Sequence, residues 1–307
     1  MQVLSSFLPR FRLKAAVLVF TLAAAALAAE NGTWIEQAGG TAARDTAGKI
    51  VAVDLRSSWV TDSDMPRLAL LPDLKKVDLS LTRISDRGMR ALRGAPAIEE
   101  LNLYFAERIT DEGTAVVKNW KHLKRVNLRG TKMTDVTLEY LGGIPTLEAI
   151  DAGYAETTDV GWEHLTALTN LKWLMMGGNK LTDTSLQFLR TMPQIEYLDI
   201  SGTQRTDSGL WSLGLSLAGA RAIATVKELR ELRLAGTAVN TQGLEELKAL
   251  DKLERLDLQN CRQLNDGSAG VLATYKKLKA LDLKGSAISE KAVAQLRTEL
   301  PNTQILY

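Results

Sequence analysis

The sequence predicts an α/β solenoid, or horseshoe, of about ten strand-turn-helix units with a parallel sheet on its concave face. Three observations lead to this prediction. First, a Leu-x-x-Leu-x-Leu-like pattern recurs every 24 or 25 residues, with one interval of 34, starting at Ile50, Leu74, Ile98, Leu123, Leu147, Leu171, Ile195, Leu229, Leu253 and Leu278. Second, each pattern alternates apolar and polar residues, as a half-buried strand does. Third, a segment with helical apolar spacing follows each one, so the period indicates a repeat architecture.

The first 29 residues predict a signal peptide rather than part of the fold. An apolar run over residues 15–29 follows three cations, Arg10, Arg12 and Lys14. The run ends in Ala-Leu-Ala-Ala, which fits cleavage after Ala28 or Ala29. A retained anchor is the alternative, but about fifteen apolar residues are fewer than the roughly twenty that a spanning helix needs. We therefore expect export, to the periplasm or outside the cell, with no stable membrane anchor after cleavage.

Residues 30–49 predict an N-terminal cap. Trp34 and Ile35 indicate a short helix, and the glycines at 39, 40 and 48 indicate turns that lead into the first repeat strand. An apolar cover at this end would shield the first repeat from water. At the other end, residues 303–307 predict a last half-strand.

Residues 50–302 hold the repeats, and each unit has two halves. In Leu123-Lys-Arg-Val-Asn-Leu-Arg-Gly-Thr131, the apolar positions 4 and 6 predict the buried face of a short strand. In the second half, a Ser or Thr followed by Asp, as in Thr182-Asp183, predicts a helix N-cap with an acid in the first turn. Several units close with a proline just before the next strand, where a helix must stop, namely Pro72, Pro96, Pro145, Pro193 and Pro301.

These repeats resemble the leucine-rich repeat family, specifically the bacterial 24-residue type with Thr-Asp-x-Gly-Leu. They are also similar to the cysteine-containing repeats of F-box-type leucine-rich proteins. The resemblance implies a continuous apolar core shared by stacked units, since one unit cannot bury its own apolar side. It also implies an inward polar residue at position 9 that satisfies turn backbone, which assigns Thr82, Thr131, Asn179, Thr203, Thr237 and Cys261. On this implication, Cys261 is a buried turn residue rather than a nucleophile.

The unit that starts at Ile195 is ten residues longer than its neighbours. We expect the extra residues within 212–226, in the helical half and away from the strand face. One interpretation is a longer helix or an extra loop packed on the convex side. The other is an apolar docking element for a partner.

Composition argues against most catalytic and nucleic-acid-binding functions. Lys plus Arg total 38 and Asp plus Glu 36, so no basic field attracts nucleic acid. One cysteine excludes an internal disulfide and a multi-cysteine zinc site, and the two histidines, His122 and His164, are few for a metal or acid-base site. The sequence contains no phosphate-binding loop, nucleophile elbow or His-Glu-x-x-His motif. We therefore predict a protein that is not an enzyme and has no cofactor, metal or catalytic residue.

A column of acids leaves one enzymatic alternative open. Position 5 of the units reads Asp54, Asp78, Asn102, Asn127, Asp151, Met175, Asp199, Arg233, Asp257 and Asp282. Strands about 4.8 Å apart place these side chains on one face, where a cation or a glycosidase pair would be conceivable. We favour the other interpretation, in which Asp and Asn are habitual at this position and the repeat spaces them.

Aromatic and cationic side chains gather on the same face in the middle units. Alternation places positions 3, 5 and 7 on the concave face. Tyr, Trp and Arg are enriched at binding hot spots, and an exposed tryptophan contributes no stability to an empty face. The predicted partner-binding residues are Tyr104, Arg125, Arg129, Trp173, Met175 and Tyr197. The alternative is that these residues are scattered by chance over the concave face and pack laterally between neighbouring strands.

These observations predict an exported, non-catalytic, monomeric module that presents its concave face to a protein partner of unknown identity. An enzyme or enzyme subunit that uses the acidic column is one alternative. A secreted effector that resembles F-box-type leucine-rich proteins in ubiquitin-ligase substrate recruitment is the other. Residues 30–49 are too short for an F-box, which argues against the effector.

Overall fold

The computed structural model describes residues 32–95, 97–206 and 209–307, with the backbone alone over 204–206 and 209–211. The predicted signal peptide at residues 1–29 and the predicted helix stop at Pro96 lie outside the described residues. Within these ranges, no helix has the length and apolar character that crossing a bilayer requires.

One sheet of twelve strands runs through the described chain in the order β1 to β8 and then β11 to β14. Strand β1 is antiparallel to β2, and every later neighbour is parallel. The strands are β1 (Thr41–Arg44), β2 (Ile50–Asp54), β3 (Lys76–Asp78), β4 (Glu100–Asn102), β5 (Arg125–Asn127), β6 (Ala149–Asp151), β7 (Trp173–Met175), β8 (Tyr197–Asp199), β9 (Thr203–Thr206), β10 (Gly209–Ser212), β11 (Glu231–Arg233), β12 (Arg255–Asp257), β13 (Ala280–Asp282) and β14 (Gln304–Leu306).

Short helices connect successive strands of this sheet. The α-helices are α1 (Thr33–Gln37), α2 (Met65–Ala69), α3 (Asp86–Ala91), α4 (Asp111–Thr114), α5 (Asp135–Gly142), α6 (Asp159–Glu163), α7 (Asp183–Gln187), α8 (Leu217–Ile223), α9 (Thr241–Leu247), α10 (Asp266–Leu272) and α11 (Glu290–Glu299). Single 3₁₀ turns extend four of them, at Leu92–Gly94, Ala115–Asn119, His164–Ala167 and Phe188–Thr191.

The strand pattern of the sequence predicts the sheet correctly. Positions 3 to 5 of each unit form the strands β2 to β8 and β11 to β13, and equivalent positions pair in register. The inward positions 4 and 6 are buried, as Val126 and Leu128 of the unit at Leu123 show. The buried side chains form one continuous core from Trp34 to Ile305. The predicted α/β repeat solenoid is therefore confirmed.

In most units an aspartate near the start of the helical half hydrogen-bonds to the N-cap residue of the next helix. In α6, the N-cap Thr158 accepts a hydrogen bond from the N–H of Val160. The carboxylate of Asp135, one unit earlier, accepts the N–H of Thr158 at 2.8 Å and its hydroxyl at 2.6 Å. The same contact joins the pairs Asp62–Ser85, Asp86–Thr110, Asp111–Thr134, Asp159–Thr182, Asp183–Ser216 and Asp266–Ser289. The aspartate thus holds two units together.

The N-terminal segment contains a strand that the sequence analysis does not anticipate. Helix α1 buries Trp34 and Ile35, and the guanidinium of Arg67 lies 5.5 Å from the indole of Trp34. The chain then runs through β1, turns back over residues 45–48 and enters β2. β1 therefore hydrogen-bonds to the outer edge of β2. Without β1, the backbone N–H and C=O groups of that edge would be unpaired.

The long unit at Ile195 differs from the expectation. Helix α8 is no longer than α9, and a hairpin of β9 and β10 stands before it at residues 203–212. The motif at Thr206 does not begin a helix here, because Thr206 lies in β9. Instead Ser216 caps α8 by accepting the N–H groups of Ala218 and Gly219. The extra residues of this unit thus form a hairpin before the helix rather than a longer helix.

Candidate functional site

The acids of the concave column have a structural role at the ends of the strands. Oδ1 of Asp78 accepts the N–H of Ser80 at 2.8 Å, and Oδ1 of Asp151 accepts that of Gly153 at 3.0 Å. The same bond recurs at Asp54, Asn102, Asn127, Asp199, Asp257 and Asp282. A side-chain oxygen that accepts the N–H two residues later satisfies a turn donor that would otherwise lack a partner. The Asp and Asn residues of the column thus stabilise the turns that follow the strands.

The aromatic residues of the middle units meet at the centre of the concave face. Trp173 and Tyr197 are direct neighbours on β7 and β8, and both are half-buried. Met175 lies between the buried carboxylates of Asp151 and Asp199 on the adjacent strands. Burial raises the pKa of the Tyr197 hydroxyl, so it stays protonated. We call Trp173, Met175 and Tyr197 the concave centre.

Two arginines flank the concave centre. Nη1 of Arg129 lies 3.5 Å from Oδ1 of Asp151, and the Arg129 guanidinium lies 4.7 Å from the ring of Tyr154. On the other side, the guanidinium of Arg233 lies 5.5 Å from the ring of Tyr197. Burial raises the pKa of the Asp151 carboxyl, while the Gly153 N–H and Arg129 oppose that change. Tyr154 and Arg233 are not among the residues predicted from the sequence, although Arg233 replaces the usual Asp at position 5.

The other two predicted residues lie apart from the concave centre. Arg125, on β5, forms ion pairs with Glu100 at 3.2 Å and Glu148 at 3.6 Å. Tyr104 lies near the loops and packs edge-on against Phe105, with 4.7 Å between the ring centroids. An open depression of about 470 Å³ covers the concave face from β1 to β7 and includes Arg125 and Met175 in its lining. The six predicted residues therefore form a centre of three, a flanking arginine and two outlying side chains.

An alternating row of charges, which we call the edge ladder, follows the amino ends of the strands. Residue 2 of successive units is Lys75, Glu99, Lys124, Glu148, Lys172, Glu196, Arg230, Glu254 and Lys279. Glu99 lies 2.8 Å from Nζ of Lys124 and 3.1 Å from Nζ of Lys75. Hydrogen bonds from these two lysines lower the pKa of Glu99 to about 2. The cations of this edge are thus neutralised within the chain, and sign alternation in the sequence could have revealed it.

Residue 8 of each unit takes the left-handed backbone conformation, which favours glycine. Glycine occupies it in half of the units, at Gly130, Gly178, Gly202, Gly236 and Gly285. Leu81, Phe105 and Tyr154 adopt it with φ of 56°, 50° and 50°. For a bulky residue this conformation costs about 1–2 kcal/mol. Leu81, Phe105 and Tyr154 are not among the residues predicted from the sequence, although each stands at a position where half of the units have glycine.

The inward position 9 satisfies backbone carbonyls, as the family resemblance implies. The hydroxyl of Thr131 donates to the carbonyl of Leu128 at 2.7 Å, and Asn179 donates to those of Ala152 and Met176. Thr82, Thr237 and Cys261 donate in the same way. For Thr203 the prediction is wrong, because this residue is exposed and begins the hairpin.

Cys261 is expected to be inert to thiol reagents in the folded protein. It is fully buried, its Sγ lies 3.2 Å from the carbonyl oxygen of Leu234, and burial raises its pKa to about 11. At pH 8 only about one molecule in a thousand would then carry the reactive thiolate. Ellman's reagent should label the urea-unfolded chain within minutes and leave the native chain unlabelled. Equal labelling rates would contradict the burial of this residue.

Comparisons with known proteins agree with this geometry. A model of the family described as "Leucine Rich repeat" matches residues 71–92. An internalin (inlF) of Listeria monocytogenes has a similar fold, with a TM-score of 0.58, 18% identity, and coverage of 79% of this chain and 70% of that one. The chain folds as a leucine-rich-repeat solenoid.

Two further leucine-rich repeat structures are similar. The Arabidopsis receptor kinase HAESA, in complex with the peptide hormone IDA and the co-receptor SERK1, gives a TM-score of 0.52 at 15% identity. The mouse RP105/MD-1 complex gives 0.53 at 19% identity. The alignments cover 80% and 78% of this chain but only 40% and 39% of those chains. At these identities the similarity shows the fold alone, and no curated protein sequence matches the chain.

Proposed function

We propose that this leucine-rich repeat protein is an exported, non-catalytic, monomeric module that binds a protein partner on its concave face. The observation that carries the proposal is the concave centre, where Trp173 and Tyr197 remain half-buried beside Met175. Partial exposure of two large aromatic rings leaves apolar area that a partner would remove from water. The similar receptor structures are complexes with a peptide hormone, a co-receptor and MD-1, which supports a protein as the ligand.

The electrostatics of the concave face favour an apolar contact surrounded by paired charges. Arg129 pairs with Asp151, and Arg233 with Glu231 at 3.1 Å. Satisfied ion pairs around an aromatic core match the apolar centre and polar rim of protein interfaces. One oxygen of each acid in the column accepts a turn N–H, which gives these acids a structural role.

We propose the following division of the chain: a signal peptide over residues 1–29, a cap over 30–49, repeats over 50–302 and a C-terminal half-strand over 303–307. Protein isolated from the producing cell should then begin at Ala29 or Glu30, because the leader ends in small residues. N-terminal sequencing measures this directly. An intact Met1 on a cytoplasmic product would contradict export and leave the binding proposal to be tested separately.

Substitution of Trp173 by alanine should weaken the partner complex by about thirtyfold or more, since central tryptophans are typical hot spots. The partner would be captured from the native source with the purified mature chain, and its affinity measured by calorimetry. Asp282→Ala, on β13 at the far end of the sheet, is the control and should change the affinity little. If the Trp173 variant keeps its fold and its full affinity, the concave centre is not the binding site.

A further inference from the structure

We infer a second docking surface, on the loop edge of the N-terminal half, that takes an acidic protein segment carrying apolar side chains. We call this surface the apolar rim. Its members follow the carboxyl ends of the strands β2, β3, β4 and β6, and they are Trp59, Leu81, Tyr104, Phe105 and Tyr154. None of these residues belongs to the concave centre, although Tyr154 contacts Arg129 beside it. The rim is therefore tested at Trp59 and Leu81, so either proposal can fail alone.

The apolar rim is exposed although the backbone that carries it is ordered. The Trp59 side chain is 85% exposed, while its N–H donates to the carbonyl of Ala38 at 3.0 Å. Leu81 is 49% exposed and Tyr154 40% exposed. Across the described chain, Trp59 has the most exposed of the large apolar side chains. A row of exposed apolar residues on consecutive units is typical of an interaction site rather than of random scatter.

The conformation of the apolar rim supports a role beyond folding. Leu81, Phe105 and Tyr154 occupy residue 8, where glycine would avoid the left-handed strain. Neighbouring glycines make room for two of them: a Cβ on Gly130 would lie 2.9 Å from the Phe105 ring, and one on Gly178 would lie 2.7 Å from the Tyr154 ring. These bulky side chains adopt a strained backbone conformation and are only partly buried. Such strain without full burial points to a functional constraint.

The charges beside the apolar rim indicate the chemistry of the partner. Four exposed cations follow the strands on this edge, at Arg83, Arg108, Lys132 and Lys180. Among the described residues none of the four forms an ion pair, whereas the edge ladder neutralises its own cations. Unpaired cations of one sign next to apolar side chains complement carboxylates. The occupant is therefore acidic as well as apolar.

The layout favours a protein segment over a membrane surface. The rim extends over five strands, roughly 20 Å at about 4.8 Å per strand, which equals about six residues of extended chain. Two exposed acids, Glu107 and Glu156, stand among the cations. A flat anionic membrane would lie against Glu107 and Glu156 together and be repelled by both. An extended protein segment contacts only part of the rim and can avoid these two acids.

The experiment selects peptides on the full mature chain and then maps them. A phage library of random dodecapeptides is panned on the protein at low salt, and the selected peptides are synthesised for anisotropy titrations. The double variant Trp59→Ser/Leu81→Gly, the rim variant, removes the two most exposed of the five rim side chains, and Trp173→Ala removes one of the two aromatic rings of the concave centre. Glycine at residue 81 relieves the left-handed strain, so this variant should unfold at no lower temperature than the native chain.

We expect the selected peptides to be rich in Asp, Glu, Leu and aromatic residues. Their affinity should fall at least about tenfold in the rim variant and stay unchanged in Trp173→Ala. Peptides without acidic enrichment, or with affinity insensitive to the rim variant, would overturn the inference. Sedimentation with vesicles of phosphatidylglycerol and phosphatidylcholine is the second arm. Vesicle binding that the rim variant abolishes would reassign the rim to a membrane and also overturn the inference.

Discussion

Leu128→Ala is expected to lower the free energy of unfolding by about 2–5 kcal/mol, because it removes buried methyl groups and leaves a cavity that the stacked units cannot fill. Leu128 follows β5 at the inward position 6 and is fully buried in the continuous core. Its backbone is held on both sides: the N–H donates to the carbonyl of Asp151 at 2.7 Å, and the carbonyl accepts the Thr131 hydroxyl. Collapse of the site would break these bonds, so the cavity persists. Urea unfolding followed by circular dichroism measures the loss.

Leu70→Ala is the matched control for this substitution. Leu70 is the C-cap of α2 and is 45% exposed, so the same truncation removes atoms that are already partly solvated. We expect a change below about 1 kcal/mol. Similar losses in the two variants would mean that the inward and outward positions of the repeat have been assigned wrongly.

The period of the sequence predicts the sheet because each unit of a solenoid adds one strand, and this strand pairs with the strand of the preceding unit. Once Leu123 and Leu147 are recognised as equivalent, the strands that follow them must pair in register, as Arg125 and Ala149 do. The inward polar position follows in the same way, and Cys261 takes the place of a threonine there. Regular repetition thus turns a one-dimensional pattern into a three-dimensional register.

Features that occur once in the chain have no such repetition to reveal them. Strand β1 pairs with β2 through backbone hydrogen bonds, and the residues 41–44 carry no alternating apolar pattern. The hairpin of β9 and β10 stands where a second cap candidate, Ser216, competes with Thr206. In both places the outcome depends on contacts between segments, which a local pattern does not specify.

The sequence predicts which face of the sheet carries the candidate site, but it does not predict the contacts between the side chains there. Alternation correctly places Trp173 and Met175 on the outward positions of one strand, and in-register pairing brings Tyr197 beside Trp173. Position alone does not show that Arg125 pairs with Glu100 on β4 and with Glu148 just before β6. These ion pairs depend on which side chains the two adjacent units carry at positions 2 and 3.

Gly161→Ala is expected to destabilise the protein by about 2–3 kcal/mol, although alanine is the better helix former. Gly161 lies in the first turn of α6, and a methyl group there would overlap Oδ1 of Asp135 and lie 2.6 Å from Cδ1 of Leu138. The carboxylate of Asp135 cannot move away without releasing the N–H and the hydroxyl of Thr158. The glycine of Thr-Asp-x-Gly is thus required by the aspartate of the preceding unit.

Gly270→Ala, in α10, tests this explanation against simple helix propensity. An added Cβ at Gly270 meets no atom within 4 Å, so the substitution should stabilise the protein by about 0.5–1 kcal/mol. Urea unfolding of both variants gives the comparison, and Asp135→Ala combined with Gly161→Ala completes a double-mutant cycle. If the overlap with Asp135 is the cause, Gly161→Ala costs less once the carboxylate is absent. An unchanged cost in the Asp135→Ala background would place the clash on Leu138 and remove the aspartate contact from the explanation of the motif.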